Sequence, residues 1–160
     1  MNANDFLLKL SMNDWIVNRE SVNPTDVEIN PEALDRINKA PKEFLDFILS
    51  FTSCANEEDT IWFLSYKDYI DDEDIAFPWN EFQNQSIDSA DSDNELLEEI
   101  NTYWGSHIPF LMSVEDGYSY ISICISHENY GKIFMGREPE YEDSSCIAEN
   151  LSSFWESFLK

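Results

Sequence analysis

Residues 108–135 read IPFLMSV-EDG-YSYISICIS-HENYG-KIFM, three β-rich runs separated by two turn signals. The Asp116-Gly117 pair is the stronger signal, because a tight hairpin turn needs positive φ at its central residues and Asp-Gly tolerates it. The pattern predicts an antiparallel meander over residues 108–136, and the β-branched and aromatic run 60–66 predicts a further strand. We therefore expect an α+β fold with a single antiparallel sheet.

The alternation of side chains along the meander predicts its register. Centring the first hairpin on residues 116–117 gives three facing pairs, Val114–Ser119, Met112–Ile121 and Phe110–Ile123. This register gathers one apolar face from Phe110, Met112, Val114, Ile121, Ile123 and Ile125. We expect helices to cover that face. The opposite face is mixed and is expected to be partly wetted; it carries Ser113, Tyr118, Tyr120, Ser122 and Cys124.

Helical spacing of apolar side chains predicts five helices, near residues 5–12, 31–40, 41–51, 96–104 and 150–160. Asn30 is the expected cap of the second helix, and Pro41 separates the second from the third. For the fourth, Ser92 and Glu95 match a capping box, and Gly105 stands where a left-handed cap is expected. The run Trp15-Ile16-Val17 predicts the start of a strand.

Length and composition favour one domain over residues 1–160, with an N-terminal extension over 1–29 and an acidic insertion over 68–95. The second half of that insertion, residues 83–93, is polar and is predicted to be a loop. No apolar run is long enough to cross a membrane, and the N-terminus lacks the basic region of a signal peptide. Three distant cysteines without a C-x-x-C pair fit a reduced compartment, so we expect a cytoplasmic protein.

The charge is strongly negative and unevenly distributed. The chain has 33 acidic and 9 basic residues, for a net charge of −24. Residues 57–99 hold 15 acids and one base, whereas residues 106–137 hold three acids and two bases. Such a field repels nucleic acid and anionic membranes and favours a basic partner. A role in solubility alone is the simpler explanation of the acidity taken by itself.

Motifs for metal binding or catalysis are weak. His107, Cys124 and His127 flank the meander strands, but they lack the closely spaced ligand pairs of a zinc site. The Asp91-x-Asp93-x-Glu95 run lacks the glycine and the distal glutamate of a calcium loop. No nucleophile elbow, zinc-protease motif or phosphate loop is present. We therefore expect no catalytic residues, metal or cofactor.

The acidic insertion is the best candidate for a protein interface, because aromatic side chains anchor partners and surrounding acids steer basic ones. The candidate partner-binding residues are Tyr69, Asp71, Asp72, Glu73, Asp74, Trp79, Glu81 and Phe82. For the aromatic residues Phe77, Trp79 and Phe82, a place in the core under a long loop is equally compatible with the sequence. The acids 71, 72 and 74 are expected to be exposed.

Several motifs resemble those of the SUKH superfamily, named after a yeast regulator of cell-wall and glucan synthesis and rich in bacterial immunity proteins. They are Ile108-Pro109-Phe110 entering a strand, Asp116-Gly117-Tyr118 at the hairpin, Gly131-Lys132-Ile133 opening the next strand, a closing helix over 147–154, and paired helices around Pro41. The resemblance covers about residues 30–160. The glycine-rich turn typical after the second helix is replaced by residues 52–56, and the glycine-doublet form of the hairpin turn by Asp-Gly.

The resemblance implies an α+β domain that acts by binding proteins and has no catalytic residues. Bacterial members of this kind look like antidotes to toxins, often nucleases, secreted by sister cells. Because nucleases tend to be basic, the acidic insertion fits an immunity protein that neutralises a basic toxin domain. The alternative is a regulatory or scaffold protein of the glucan-synthesis type. The sequence determines neither the partner nor the oligomeric state.

Overall fold

The computed structural model describes residues 1–160 and contains one seven-stranded antiparallel sheet with six α-helices. The strands are β1 (Trp15–Asn18), β2 (Ser53–Asn56), β3 (Ile61–Phe63), β4 (His107–Ser113), β5 (Ser119–Cys124), β6 (Ile133–Arg137) and β7 (Ser145–Ala148). The helices are α1 (Ala3–Ser11), α2 (Pro31–Lys39), α3 (Lys42–Leu49), α4 (Glu81–Ser89), α5 (Asn94–Gly105) and α6 (Leu151–Phe158). The predicted α+β class and single antiparallel sheet are confirmed.

The strands lie side by side in chain order from β1 to β7, so the whole sheet is one meander. β1 and β7 are therefore its two edges. The predicted meander corresponds to β4, β5 and β6, and the predicted strands near residues 15 and 60 correspond to β1 and β3. The sequence analysis missed β2 and β7. Residues 1–29, expected as an extension, supply α1 and the edge strand β1.

The register of the first hairpin differs from the prediction by one residue. Asp116 and Gly117 do have positive φ, but Met112 pairs with Tyr120 and Leu111 with Ile121. A register shift between Pro109 and Leu111 displaces the rest of the ladder. Every residue of β4 is buried, so neither of its faces is exposed to solvent. Alternation defines a register only where one face is polar, and here that signal is absent.

Helices cover both faces of the sheet, which corrects the expectation of a single covered face. Phe63 pairs with Leu111 and contacts Phe6 of α1 and Phe47 of α3, which define the α1 face. Cross-strand partners share a face, and successive residues alternate between the faces. Trp62, Met112 and Tyr120 therefore lie on the opposite side, the α5 face.

The α5 face is dry over β4 and β5. Tyr120 is fully buried there and packs against Trp104 of α5 and Phe82 of α4. Ser122 and Cys124, expected on a partly wetted face, are also buried. Three further polar positions, Arg36, Gln83 and Ser86, are buried in the same layer or at its border.

Local capping explains most helix boundaries. The Asn30 side chain accepts hydrogen bonds at the start of α2, and Pro41 separates α2 from α3, as predicted. For α5 the cap is Asp93, which accepts from the backbone N–H groups of residues 95 and 96, so the predicted Ser92–Glu95 box is wrong. Gly105 is the last helical residue and does not have positive φ, which corrects its expected role.

Two segments adopt a different structure from the one expected. Residues 83–93 were predicted to be a loop, but α4 extends to Ser89. The buried positions of α4 are Phe82, Gln83 and Ser86. Because two of these three residues are polar, the segment lacks the helical spacing of apolar residues by which a helix is recognised in a sequence. Residues 147 and 148, expected to open the last helix, belong to β7. The last helix begins at Leu151 behind an Asn150 cap.

Candidate functional site

The acidic run 71–74 is exposed along its whole length. The Asp71 carboxylate accepts a hydrogen bond of 2.7 Å from the Asn30 side chain, which ties this loop to the start of α2. The Asp72 carboxylate accepts from the backbone N–H of Asp74 at 2.9 Å, which shapes the turn. The Glu73 carboxylate accepts no hydrogen bond from a side chain or from a backbone N–H. The predicted exposure of residues 71, 72 and 74 is confirmed.

The three aromatic candidates lie in the core. Tyr69, Trp79 and Phe82 are each at most 1% exposed. Tyr69 donates a hydrogen bond of 2.8 Å from its hydroxyl to the Pro109 carbonyl. A buried ring cannot anchor a partner without local opening, so for Trp79 and Phe82 the core placement is the correct one of the two interpretations, whereas Phe77 is only half-buried.

The Trp79 and Phe82 rings each pack against a side chain that is distant in the sequence. The Arg36 guanidinium lies 5.3 Å from the centre of the Trp79 ring, and the Phe82 ring stacks on Tyr141 at 4.7 Å. Glu81, the remaining candidate, is half-buried at the start of α4 and accepts a hydrogen bond from Gln85 at 2.9 Å. Among the predicted site residues, the structure leaves mainly the carboxylates available to a partner.

Two parts of the chain, distant in sequence, form one acidic region over the α5 face. Residues 68–106 include α4 and α5, and residues 138–143 form the loop before β7. The Tyr141 hydroxyl donates to Gln85 at 2.7 Å, and the Trp104 indole donates to Glu142 at 3.3 Å, so the loop is fastened to both helices. We call these two segments the acidic surface. They contain sixteen acids and no lysine, arginine or histidine.

Two exposed bases, Lys67 and Arg137, flank the ends of these segments, whereas the arginine that contacts α4 does not offset the charge at the surface. Arg36 of α2 is buried and forms an ion pair with Glu32, and it donates to Gln83 at 3.0 Å. Burial lowers the pKa of Arg36, with Glu32 acting in the opposite direction. The Arg36–Gln83 hydrogen bond links α2 to α4, so the role of Arg36 in the structure is to join these elements.

The α5 face is left uncovered at the β1 end of the sheet. Cross-strand pairing lines up Ile16, Ala55, Trp62 and Met112 in one row across β1 to β4. Exposure falls along the row, from 63% at Ile16 through half-buried Ala55 and Trp62 to zero at Met112. We call Ile16, Ala55 and Trp62 the open row. It was not predicted, because β2 was not recognised from the sequence.

Phe77 connects the open row to the acidic run. Its ring is half-buried and packs against Trp62 at 6.0 Å and Tyr118 at 5.4 Å. The run 71–74 leads into it along the chain, so exposed carboxylates adjoin partly exposed aromatic rings. This is the combination sought in the sequence, formed by Phe77 and Trp62 in place of Trp79 and Phe82.

Tyrosine hydroxyls form a buried polar cluster between α5 and the sheet. The hydroxyl of Tyr120 is hydrogen-bonded to that of Tyr103 and donates to the Tyr141 carbonyl. Burial raises the pKa of Tyr120 far above its ordinary value, so this hydroxyl stays protonated. The Tyr103 ring stacks on His107 at 4.1 Å. The cluster holds the acidic surface on the sheet.

The metal candidates of the sequence are separated by their environments. His107 is buried and its Nδ1 lies 2.8 Å from the Tyr103 carbonyl, whereas His127 is exposed in the turn after β5. No group of three or more His, Cys, Asp or Glu side chains is placed to hold a metal ion. The cysteines are free, and burial raises the pKa of the Cys54 thiol to about 12.

A cleft of about 770 Å³ contains no lining residue of the acidic surface. It lies where the first residues of α1 and α6 meet α3, and the carboxylates of Asp5, Glu43 and Asp46 line it.

None of the helices combines the length and the apolar composition needed to cross a bilayer. Comparisons with protein-family models, with curated proteins and with solved structures found no match.

Proposed function

We propose that this protein is a non-enzymatic binding protein whose acidic surface docks a basic partner protein. The observation that carries the proposal is the segregation of charge, sixteen acids without a base over residues 68–106 and 138–143. Solubility explains why a helical surface carries many acids, but it does not explain why the same surface carries no lysine or arginine. The sign and the contiguity of the charge both favour a partner that is rich in lysine and arginine.

Within this class we propose an immunity protein that neutralises a basic, nuclease-type toxin. Two observations support it, the acidic surface and the sequence resemblance to the SUKH superfamily. The protein acts by occupying the cationic groove with which a nuclease binds its substrate. The carboxylates of the acidic surface compete with nucleic-acid phosphates for the same lysine and arginine side chains of the toxin. Long-range attraction also speeds association, which matters for an antidote that must act before the toxin does.

Co-expression with toxins tests the proposal directly. Basic toxin domains encoded beside the gene are produced in a sensitive host, with and without this protein. We expect growth to be rescued by one of them and a complex to co-purify from the same cells. Toxicity that persists for every neighbouring toxin, with no complex, would count decisively against the immunity role.

A charge variant tests the mechanism of that complex. Asp71→Asn, Asp72→Asn and Asp74→Asn together remove three charges while keeping oxygen acceptors at each position. We expect association to slow about tenfold at low salt and the difference to shrink near 0.5 M salt, because screening shortens the range of the attraction.

The matched control is the triple variant Glu28→Gln, Glu43→Gln and Glu128→Gln. These three acids are exposed and lie outside the acidic surface, and their substitution removes the same net charge. Equal slowing in both triple variants would show that net charge, not the acidic surface, drives association. Binding that is insensitive to salt would favour the regulatory or scaffold alternative, with the uncharged open row as its contact.

A further inference from the structure

The two edges of the sheet differ in their readiness to accept another strand. β7 pairs with β6 through a register shift that leaves Ile147 as an extra residue, and such bulges discourage edge pairing. β1 pairs with β2 through four consecutive residues without any irregularity. An edge strand of this regular kind is a template for strand addition.

The backbone of β1 offers unused hydrogen-bonding groups. The Asn18 carbonyl accepts from the Thr52 N–H at 2.9 Å, so it points toward β2. Backbone groups alternate in direction along an antiparallel strand. Those of Trp15 and Val17 therefore point away from the sheet, and neither residue forms a backbone hydrogen bond outside the β1–β2 ladder.

Apolar side chains are exposed around this edge. Leu8, Met12 and Ile16 are 49%, 76% and 63% exposed, and they are three of the seven large apolar side chains of the chain that are at least 37% exposed. Ile16 ends the open row on the α5 face, whereas α1 packs beside β1 on the α1 face. There Arg19 donates to Asn4 at 3.2 Å, and Leu8 lies one turn after Asn4 on the same side of α1. A strand added to β1 would thus find apolar neighbours on both of its sides.

The charges around β1 distinguish its two ends. Asp14 precedes the strand, and the β2–β3 turn with Glu57, Glu58 and Asp59 begins beside it, because Trp15 pairs with Asn56. At the other end, Arg19 and Glu20 offset each other. The Trp15 end is therefore strongly negative and the Asn18 end is close to neutral.

We propose that β1 binds an extended segment of the basic partner as an eighth, antiparallel strand. In that orientation the carboxyl end of the added segment lies at the Trp15 end, so its basic residues belong there and its alternating apolar residues cover Ile16. The inference rests on the proposed function for the identity of the partner. It adds the mode of binding and the polarity of the recognised segment.

Two synthetic peptides of equal composition test the proposal, Ac-TVTVTVKK-NH2 and Ac-KKTVTVTV-NH2, each titrated into the ¹⁵N-labelled full chain. We expect the first to bind about tenfold more tightly, with amide shifts centred on Trp15 and Val17. Ile16→Lys should weaken that binding about tenfold by removing apolar contact and repelling the lysines, whereas Ile147→Lys on β7 should leave it unchanged.

Several results would overturn strand addition at β1. They are no binding at about 1 mM peptide, equal affinity of the two peptides, or equal effects of the two lysine variants. The proposed function can fail separately. If the peptides dock on β1 but no toxin is neutralised, only the partner is wrong, and if toxin rescue succeeds while Ile16→Lys changes nothing, only the docking mode is wrong. Far-UV circular dichroism establishes that each variant folds.

Discussion

The helices on the two faces of the sheet differ in chemistry. On the α1 face, α1, α3 and α6 carry four acids and two bases, and the contacts beneath them are between apolar rings. Phe47 alone neighbours five aromatic rings, those of Phe6, Phe51, Phe63, Phe110 and Trp155. On the α5 face, the acidic surface lies over rings that carry hydroxyls, including Tyr103 and Tyr120.

This difference separates two tasks. Ring-to-ring packing on the α1 face stabilises the fold in a way that depends little on pH or salt, because it involves no titrating group. The acidic surface crowds like charges, which destabilises a folded chain but favours a basic ligand. We infer that the packing on the α1 face stabilises the fold enough to offset the repulsion between carboxylates on the α5 face.

The largest expected effect is on the α1 face. Phe47→Ala should lower the free energy of unfolding by about 4 kcal/mol, because it opens a cavity among the five rings. Phe77→Ala on the α5 face should cost only about 1–2 kcal/mol, since its ring is half-buried and contacts two others. Urea unfolding followed by tryptophan fluorescence measures both. Similar losses for the two variants would remove the asymmetry in stability.

A glycine pair probes the fit of the polar cluster to the sheet. A methyl group on Gly136 would lie 2.6 Å from ring carbons of Tyr120, which is held by Tyr103 and Tyr141. Gly136→Ala should therefore cost about 2–3 kcal/mol by overpacking. Gly105→Ala, at the end of α5 with no atom nearby, should be neutral or stabilise by up to about 1 kcal/mol. Thermal unfolding compares them, and a harmless Gly136→Ala would mean that Tyr120 does not cover Gly136 closely.

The sequence predicted what depends on local pattern. Capping by Asn30, the break at Pro41 and the left-handed pair at residues 116–117 are determined by the chemistry of one or two residues. The register of the first hairpin and the strands β2 and β7 depend instead on which elements cover them. A residue such as Ile147 looks equally suited to a helix or a strand when the neighbouring strand is not known.

The candidate site was predicted in charge but not in shape. The exposure of the acids 71–74 follows from their hydration cost, which burial cannot offset without partners. Trp79 and Phe82 looked like anchors because their sequence neighbours are acidic, but their environment is set by Arg36 and Tyr141, distant in the chain. The exposed Ile16 and half-buried Trp62 have no such local signal, since only strand pairing brings them into one row.

A pH comparison sharpens the contrast between the faces. Burial and the nearby Arg36 charge lower the pKa of His107 from its ordinary value of 6.5. Between that lowered pKa and 6.5 the unfolded chain binds more protons than the folded one, so this group makes stability fall as the pH drops from 7 through that window. His107→Gln should remove that component. Urea unfolding from pH 7 to 5 should show a shallower decline than in wild type.

The control for this measurement is His127→Gln, because His127 is exposed in the turn after β5. Its pH profile should follow that of wild type. All other titratable groups are shared by the three proteins, so their contributions cancel in the comparison. Parallel profiles for wild type and His107→Gln would mean that His107 accepts a proton in the folded state without penalty.

The smallest expected effect has opposite signs on the two faces. Glu95 and Glu99 lie one turn apart on α5, and like charges at that spacing destabilise a helix by about 0.2–0.5 kcal/mol, so Glu99→Gln should stabilise by about that amount. On α3, Lys42 contacts Asp46 at 2.5 Å, and Asp46→Asn should destabilise by a similar few tenths, since the pair is exposed. Melting temperatures at low salt should shift in opposite directions, and about 1 M salt should erase both shifts. If Glu99→Gln also lowered the melting temperature, the acids of α5 would not be under mutual repulsion, and the electrostatic cost assigned to the α5 face would be absent.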